Sequence, residues 1–271
     1  MNKVLAILVL YQCKLEESKT FNTLADSLFS YNTELDMLVY DNSPIAQYDG
    51  VNFSNKNINI HYISDPTNPG VSKAYNIGAT YARQNGKQWL LLLDQDTSFP
   101  LGAVEKYRQH IHRSKQLGAP VLQSGNSYIS PCFFMWGKGR ALKKYTVGVN
   151  SIGNISLLNS GLMIPLSLFD TVGGYNERIS LDFSDHCFIE RIKRITSSYY
   201  VLDVVCKHGL SAIEKDKGKV LKRFEFYLKG GREYAQEQHS WGTKWVLFLR
   251  MIKLSLRYKT LDFLNKYLQA S

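Results

Sequence analysis

The first hundred residues alternate between short apolar runs and amphipathic segments. VLAILVL at 4–10 and WLLLLD at 89–94 are continuous apolar runs, which are typical of strands covered on both faces. Between them the pattern predicts two further strands and two helices, over 36–43 and 57–64 and over 18–31 and 71–86 respectively. Because strands and helices alternate over short connections, the sequence predicts an α/β fold with a mostly parallel sheet and flanking helices.

The pattern is less regular after residue 100. The predicted elements are helices over 100–116 and 182–195 and strands over 121–125, 154–165 and 199–209. Residues 126–153 are rich in Gly, Ser and aromatic residues and predict a long surface loop, which in a compact domain is usually functional or mobile.

Composition places the chain among ordinary globular proteins. It has 271 residues, of which 44% are hydrophobic and 21% charged, and this balance excludes a disordered or collagen-like chain. The four cysteines form no CxxC pair, which indicates a reducing compartment rather than a disulfide framework. The apolar run at 4–10 is too short to span a membrane and lacks a cleavage site, so we expect a cytoplasmic protein.

The net charge of +10 is concentrated at the C-terminal end. Residues 1–214 carry 20 Lys and Arg against 18 Asp and Glu, a difference of +2, whereas residues 215–271 carry 13 against 5, a difference of +8. Within this tail, residues 244–259 predict a helix with a basic stripe and apolar residues over much of the rest. Two interpretations are open: a helix that lies on an anionic membrane surface, and a helix docked on the fold with a basic outer face.

Polar residues follow the predicted strands at their carboxyl ends, where parallel sheets bind ligands. The second strand ends at Asp41, the third leads through a Pro-Gly turn to a helix that begins after Gly70, and the fourth ends in Asp94-Gln95-Asp96. A helix start with free N–H groups is an anion site, and two carboxylates suit a divalent cation. These features predict a cleft for a nucleotide; an Asp-rich turn capped by Asp94 is the competing interpretation of the acidic pair.

Several stretches, taken in order, are similar to one family. No G-x-G-x-x-G turn and no Walker A sequence follows the first strand, which argues against a dinucleotide-binding or P-loop protein. The matching stretches are VYDNS (39–43), NPGVSKAYNIGA (68–79), LLLLDQDTSFP (90–100), NSGLMIP (159–165), GGYNERISLDFSDHCFIER (173–191) and KHG (207–209). In this order the chain resembles the inverting GT-A glycosyltransferases of family 2, in particular the rhamnosyltransferase-like branch, over about residues 4–210.

The resemblance implies a nucleotide site on the first hundred residues. Asp41 would hydrogen-bond the edge of the base, with Tyr11 near the base. Asn68, Gly70 and Asn76 would shape the turn and the helix start that line the nucleotide.

The resemblance also implies Mg²⁺ or Mn²⁺ at the end of the fourth strand. Asp96 would ligate the ion that bridges the diphosphate, Asp94 would hold the ribose or a metal-bound water, and Gln95 belongs to the same donor-binding set. His208, at the end of the last strand, is predicted either to complete the metal site or to be an ordinary core or surface histidine.

Two carboxylates are candidates for the catalytic base. An inverting transfer needs a group that takes the proton of the acceptor hydroxyl as it attacks the anomeric carbon. By its distance from Arg191, Asp185 matches the catalytic carboxylate of the family. Asp182 is the alternative base, and its competing structural role is a cap at the start of the helix.

The function implied is a metal-dependent inverting glycosyltransferase of surface polysaccharide synthesis. It would move a sugar, rhamnose from dTDP-rhamnose by resemblance, from a nucleoside-diphosphate sugar to a saccharide or lipid-linked acceptor. Residues 1–214 would form the GT-A catalytic domain, with a nucleotide-binding part over about 1–100 and an acceptor-binding part over about 101–214. Residues 215–271 would form a basic helical extension.

Partners and alternatives follow from the same features. We expect an anionic membrane surface, the inner face of the plasma membrane, to contact 244–259, and no nucleic acid to bind. Phe133, Phe134 and Trp136 either stack on an acceptor sugar or are buried under their loop. The alternatives are a nucleotidyltransferase and a non-catalytic basic module that binds membranes or nucleic acids.

Overall fold

The fold is described by a computed structural model for residues 1–48, 52–209 and 216–269. The strands are β1 (Val4–Leu10), β2 (Leu35–Asp41), β3 (Asn52–Asn55), β4 (Ile58–Ser64), β5 (Trp89–Asp94), β6 (Thr97–Ser98), β7 (Gly118–Ser124), β8 (Ser127–Met135), β9 (Lys138–Leu142), β10 (Gly148–Ser151), β11 (Ile155–Ser156), β12 (Leu162–Pro165) and β13 (Ser198–His208). The helices are α1 (Lys19–Ser30), α2 (Val71–Gln84), α3 (Ala103–Arg113), α4 (Leu166–Thr171), α5 (Ser184–Lys193), α6 (Lys217–Glu237), α7 (Trp241–Tyr258) and α8 (Asp262–Gln269), with a short 3₁₀ turn at Leu15–Glu17.

The sheet has the order β10-β13-β7-β12-β5-β1-β2-β4-β3. β4, β2, β1 and β5 are parallel neighbours, and β13 is parallel to β7. β12 lies between β5 and β7 and is antiparallel to both, so β5 and β7 point the same way. The predicted mostly parallel α/β fold is therefore confirmed, and six strands end at the same edge.

The two faces of β1 explain why its whole sequence is apolar. All seven residues are buried. Ala6 and Leu8 belong to the core that includes Phe21 of α1, whereas Leu5 and Ile7 belong to the core on the opposite face. A strand covered on both faces needs apolar residues at every position rather than at alternate ones.

Residues 126–153 do not form the long loop that the sequence predicts. They fold into β8, β9 and β10, with β8 and β9 joined as an antiparallel hairpin. The two residues of the turn, Trp136 and Gly137, have φ of 54° and 74°. Such a tight turn needs left-handed φ at both positions, which is unusual for tryptophan, so the sequence carries no ordinary turn signal here.

The C-terminal helices pack against the α/β part of the chain. Leu228 of α6, Leu247 of α7 and Phe263 of α8 belong to one buried cluster with Phe134 and Phe183. Among the described residues, no helix is long and apolar enough to cross a bilayer.

Candidate active site

The predicted site residues gather at the edge where the parallel strands end. β1 lies between β2 and β5, so Asp41 and Asp94 end the strands on either side of it. At the end of β13, His208 pairs with Thr97 of β6, which follows the acidic turn directly. Residues that are far apart in sequence thus meet at one edge, as expected for an open parallel sheet.

Asp41 is completely buried, and its carboxylate is already hydrogen-bonded. Oδ2 accepts from the Tyr62 hydroxyl at 2.7 Å and from Gln47 Nε2 at 2.8 Å, and Oδ1 accepts from the Ser43 N–H at 2.9 Å. These three donors hold the loop after β2 against β4. The contact of Asp41 with a nucleotide base stays a prediction.

The turn after β5 is held by the side chain of Gln95. Its Oε1 accepts from the Tyr11 N–H at 2.8 Å, and its Nε2 donates to the Tyr11 carbonyl at 3.3 Å. The Gln95 carbonyl accepts from Ser18 Oγ at 2.9 Å, at the start of α1. Gln95 therefore joins the end of β1 to the acidic turn and leaves the Tyr11 ring partly exposed, while donor contacts for both stay predictions.

Asp96 is the carboxylate that the surrounding protein leaves available. Its Oδ1 lies 3.6 Å from His208 Nδ1, and no other residue in the described part of the chain donates a hydrogen bond to its side chain. Burial raises the pKa of Asp96, and the charge of Asp94 acts in the same direction while His208 opposes it. Thr97 Oγ1, at 2.8 Å from His208 Nδ1, holds the imidazole beside the carboxylate.

Asp94 is oriented by two hydroxyl groups from separate stretches of sequence. Oδ1 accepts from the Tyr75 hydroxyl at 3.1 Å, and Oδ2 accepts from the Ser160 hydroxyl. Burial raises the pKa of both Tyr75 and Tyr175, and the charges of Asp94 and Asp185 add to this effect. The Tyr75 and Tyr175 rings are 5.2 Å apart, and Tyr175 stacks on Phe188 of α5 at 4.1 Å, so aromatic contacts join Asp94 to the helix that carries Asp185.

The start of α2 is not the open anion site that the sequence predicts. The Val71 N–H donates to the Ser180 carbonyl at 2.8 Å, and Ser72 Oγ donates to the Ile179 carbonyl at 2.5 Å. Gly70 has φ of +95°, and a Cβ added there would lie 2.1 Å from the Ser180 carbonyl oxygen. The expectation of free N–H groups does not hold for Val71, because this neighbouring segment packs over the first turn.

Asn68 and Asn76 shape the polypeptide on either side of that turn. Asn68 has left-handed φ of 49°, and its N–H donates to the Asp65 carbonyl at 3.1 Å. Asn76 Nδ2 donates to the Tyr175 carbonyl at 3.0 Å and to Glu177 Oε1 at 2.8 Å, and its Oδ1 accepts from the Tyr175 N–H at 2.9 Å. Asn76 thereby fixes the loop between α4 and α5, and nucleotide contacts of both asparagines stay predictions.

Asp185 lies in the first turn of α5, where the helix dipole favours a negative charge. Its Oδ1 accepts from the His186 N–H at 2.8 Å, and its side chain is 18% exposed. The helix follows directly on Phe183, which has left-handed φ of 72° and makes no side-chain cap hydrogen bond. Asp185 is thus partly accessible and held by its own helix turn.

Asp182 does not cap α5, so its predicted structural role was wrong. Its Oδ1 accepts from Arg223 Nη2 of α6 at 2.8 Å, and its Oδ2 is buried with no hydrogen-bond partner in the part of the chain that the structure describes. Burial raises the pKa of Asp182, and the charge of Arg223 opposes this shift. The left-handed Phe183 turns the chain so that Asp182 points to α6 instead of to the N–H groups of α5.

Helices α5 and α6 are also joined by an ion pair that the sequence does not predict. Arg191 donates through Nε to Glu237 Oε1 at 2.6 Å and through Nη2 to Glu237 Oε2 at 2.8 Å. Asn176 Nδ2 also donates to Glu237 Oε2 at 2.8 Å. Because a two-pronged Arg–carboxylate pair fixes orientation, α6 holds the helix that carries Asp185. The partners are 46 residues apart in sequence, so no local pattern indicates the pair.

The aromatic residues of 126–153 divide between burial and exposure. Phe134 is buried and stacks on His186 with ring centroids 3.8 Å apart. Trp136 is 63% exposed at the tip of the hairpin. Burial was therefore the right alternative for Phe134, whereas stacking of Trp136 on a sugar stays a prediction.

Helix α7 has two different apolar faces. Thr243, Leu247 and Met251 are buried against the rest of the chain. An exposed apolar stripe runs along another face; its members are Trp241, Trp245, Leu249, Ile252 and Leu256. The helix is therefore docked, as one interpretation predicts, and it also keeps the exposed apolar stripe that the other interpretation requires.

The residues present fit one divalent cation bound mainly through Asp96. Across residues 1–48, 52–209 and 216–269, no three His, Cys, Asp or Glu side chains are arranged to enclose a metal ion. Mg²⁺ is nevertheless held in many enzymes by one or two carboxylates plus water and phosphate oxygens. Asp96, a carboxylate without a hydrogen-bond donor from a neighbouring residue, supplies such a ligand, with Asp94 and His208 beside it.

The fold and this edge define a mixed α/β protein whose polar side chains gather at the ends of parallel strands. Residues 14–131 match the family model for Glycosyl transferase family 2. The matched range contains Asp41, Asn76 and Asp96 and does not reach Asp185 or His208.

Two known proteins illustrate the similarity. The dTDP-rhamnosyl transferase RfbF of Shigella flexneri is 24% identical over 129 residues, which is 46% of this chain and 44% of that protein. The chain thus matches less than half the length of this curated relative. Among solved structures, the inositol-1-phosphate CTP transferase of T. maritima has a TM-score of 0.48 at 10% identity, covering 79% of this chain and 92% of that chain.

Proposed function

We propose that the protein is a glycosyltransferase that moves a sugar from a nucleoside diphosphate to an acceptor hydroxyl with inversion at the anomeric carbon. The observation that carries this proposal is the meeting of Asp96 and His208 at the edge where the strands end. Aromatic contacts join Asp94 at this edge to α5, the helix that carries Asp185. The family match over 14–131 and the rhamnosyl relative support the same class of reaction.

The nucleotide part of the donor would lie along the ends of β1, β2 and β5. The exposed ring of Tyr11 would contact the base. Asp41 and the loop that its hydrogen bonds hold would form one side of this nucleotide site. Asn68 and Gly70 shape the turn before α2. The N–H of Val71 is already engaged, so we expect the diphosphate to be held at the acidic turn and not by this helix start.

Mg²⁺ or Mn²⁺ would be held by Asp96, with Asp94 and His208 near it. When bound, such an ion neutralises the charge that develops on the leaving diphosphate. The hydroxyls of Tyr75 and Ser160 orient the Asp94 carboxylate.

Asp185 would act as the general base. The acceptor oxygen forms a bond to the anomeric carbon, the bond from that carbon to the diphosphate oxygen breaks, and Asp185 takes the hydroxyl proton. Its exposed fraction allows an acceptor to reach it, and the two contacts from α6 to α5 hold its helix. Asp182 is the alternative base, although its Oδ1 is engaged by Arg223.

The donor sugar we propose is rhamnose from dTDP-rhamnose, since the curated relative is named as a dTDP-rhamnosyl transferase. The acceptor would be a saccharide or a lipid-linked saccharide of a surface polysaccharide. Nucleotidyl transfer is less well supported, because the Gln12 N–H after β1 donates to Ser43 Oγ at 2.8 Å instead of being available for a phosphate.

The decisive experiment compares Asp185→Asn with the parent protein and with Asp182→Asn. The substrates are dTDP-rhamnose and a panel of lipid-linked saccharides with Mn²⁺. We expect Asp185→Asn to keep dTDP binding and to lose transfer by about 10²–10⁴-fold, the usual contribution of a general base.

Three other outcomes would change the proposal. Near-normal transfer by Asp185→Asn with loss in Asp182→Asn would move the base to Asp182. Release of rhamnose 1-phosphate instead of dTDP would indicate nucleotidyl transfer, because transfer of the dTMP group breaks the bond between the two phosphates. Binding of dTDP that is the same with and without Mn²⁺ would contradict the metal site.

The exposed stripe of α7 supports attachment to an anionic membrane surface as part of this proposal. The helix contains Lys and Arg but no Asp or Glu, and Trp241 and Trp245 are 76% and 63% exposed. An interfacial helix combines these two features. We expect Trp245→Ser with Leu249→Ser to reduce cosedimentation with anionic vesicles, whereas Thr171→Ser, at an exposed position of α4, should have no effect.

A further inference from the structure

A cavity of about 500 Å³ lies between α6, α7 and α8, on the C-terminal helices. Three basic residues line it, namely Arg232, His239 and Lys244, and no Asp or Glu does so. Trp241 and Tyr267 supply aromatic walls. A cavity with this lining suits a ligand that has an anionic group beside apolar surface.

The two permanent cations of the cavity have no acidic partner. Neither Arg232 nor Lys244 forms an ion pair with any residue in 1–48, 52–209 or 216–269. Two other cations of α6 have such a partner: Lys217 is paired with Asp262, and Arg223 is paired with Asp182. A positive charge that the protein does not compensate attracts an anion to this position.

The guanidinium of Arg232 is held in place by α8. Its Nη2 donates to the Tyr267 carbonyl at 2.5 Å, and its Cζ lies 5.0 Å from the centre of the Tyr267 ring. Its Nη1 is buried and has no hydrogen-bond partner among the described residues. The donor capacity of this cation is thus incompletely used, although its position is fixed.

Lys244 stands at the same cavity on α7. Its Nζ lies 4.8 Å from the centre of the Trp241 ring. Trp241 belongs both to the cavity lining and to the exposed stripe of α7, so the cavity adjoins the apolar surface that we propose to lie in the membrane. A ligand with a phosphate in the cavity and an apolar part along the stripe would match both features.

We propose that this cavity binds the phosphate headgroup of an anionic lipid. The proposal rests on the membrane attachment suggested above and not on sugar transfer. Arg232 and Lys244 compensate the phosphate, and Trp241 separates the headgroup from the acyl region. The stripe gives affinity for any membrane, whereas the cavity gives preference for a lipid with an accessible phosphate.

The test compares two double variants that each remove two positive charges. Arg232→Gln with Lys244→Gln alters the cavity, and Lys253→Gln with Arg257→Gln alters exposed positions of α7 outside it. Cosedimentation is measured with vesicles of phosphatidylcholine with and without phosphatidylglycerol. Both variants lose the general attraction to anionic lipid, and we expect the cavity variant to lose about tenfold more affinity.

Equal losses in the two variants would overturn the cavity proposal and leave the stripe intact. If the parent protein does not bind phosphatidylglycerol vesicles at all, both membrane proposals fail. Thermal shifts with inorganic phosphate and glycerol phosphate identify the source of the ligand. Stabilisation by free phosphate that needs Arg232 and Lys244, without a vesicle difference, would assign the cavity to a soluble anion and contradict the lipid.

Two controls keep the result interpretable. If Arg232→Gln destabilises α6, Lys244→Gln alone replaces the double variant. It changes an exposed side chain, so it should fold normally and still show part of the loss of affinity for phosphatidylglycerol vesicles. Hydrolysis of dTDP-rhamnose, or dTDP binding if hydrolysis is absent, should be unchanged in every cavity variant, because the catalytic edge contains none of these residues. A failure of the proposed sugar transfer is thereby measured separately from a failure of lipid binding.

Discussion

Asp41 and Asp96 lie at the same edge of the sheet, at the end of β2 and in the turn after β5. They differ in burial and in the hydrogen bonds that neighbouring residues donate to them. Asp41 is completely buried and accepts hydrogen bonds from Tyr62, Gln47 and Ser43. Asp96 is partly exposed, with His208 at 3.6 Å and no hydrogen bond from a neighbouring residue among those described. Neighbouring donors therefore satisfy the carboxylate at one position, whereas the described neighbours donate no hydrogen bond to it at the other.

The difference shows what burial and donors contribute to a carboxylate's role. Three donors satisfy the Asp41 charge inside the fold, so the group stabilises the loop after β2. At Asp96 burial is partial and the nearby Asp94 charge is unfavourable, so the folded protein holds a carboxylate that a cation would relieve. We expect changes at Asp96 to affect function and changes at Asp41 to affect stability.

Within this comparison of Asp41 and Asp96, the largest effect is expected for Asp96→Asn. Removing the charge should lower Mn²⁺-dependent transfer by about 10²–10³-fold, the range for removal of one group that stabilises transition-state charge. Stability should be unchanged or slightly higher, because the variant removes a partly buried carboxylate that repels Asp94. Steady-state kinetics and urea unfolding of the same preparation measure both effects, and a large loss of stability would erase the contrast with Asp41.

Asp41→Asn should have the reverse profile. The amide nitrogen of asparagine would face the donors of Tyr62 and Gln47 or of Ser43, so at least one buried donor loses its partner. We expect the free energy of unfolding to fall by about 1–3 kcal/mol. Urea denaturation measures this loss, and Asp170→Asn, at an exposed ion pair with Arg83, is the control with a smaller expected change.

Much of the fold follows from local patterns in the sequence. β1 and β5 are recognisable in the sequence because strands covered on both faces have continuous apolar runs. α1 and α2 are recognisable because their apolar residues recur on one face. The order of these elements also places Asp41 and Asp94 at one edge. A local pattern is sufficient for such elements because each follows one periodicity from start to end.

The predictions that were wrong concern residues with a backbone conformation that is rare for their type, or contacts between segments that are distant in sequence. Trp136 and Phe183 have left-handed φ, whereas the sequence patterns at these positions predict a loop and a cap at Asp182. The start of α2 is covered by Ser180, 109 positions after Val71 in the chain. No spacing in the sequence encodes such a contact.

The pH dependence of metal binding separates the role that we propose for Asp96 from that of Asp185. Because its pKa is raised, mainly by burial, Asp96 takes up a proton at a higher pH than an ordinary aspartate. As the pH falls through that raised value, the proton competes with the cation, and Mn²⁺-dependent affinity for dTDP should fall. Calorimetric titration across a pH series measures this change. The Asp185→Asn variant should show the same pH dependence as the parent protein, and the Asp96→Asn variant should not show it.

The smallest effect is expected for Tyr62→Phe, which removes one of the donors to Asp41. The variant keeps the ring and loses the hydroxyl, which donates to Asp41 Oδ2 at 2.7 Å and accepts from the Gln47 N–H at 2.8 Å. Two hydrogen bonds therefore disappear, while Gln47 Nε2 and the Ser43 N–H still donate to Asp41. We expect a loss of about 1–2 kcal/mol in the free energy of unfolding. Tyr48→Phe is the matched control, because its hydroxyl donates to the exposed Glu16 at 2.5 Å and its loss should matter less. Equal losses in urea unfolding would mean that the buried network around Asp41 contributes no more than a surface hydrogen bond, and the distinction between Asp41 and Asp96 would then rest on exposure alone.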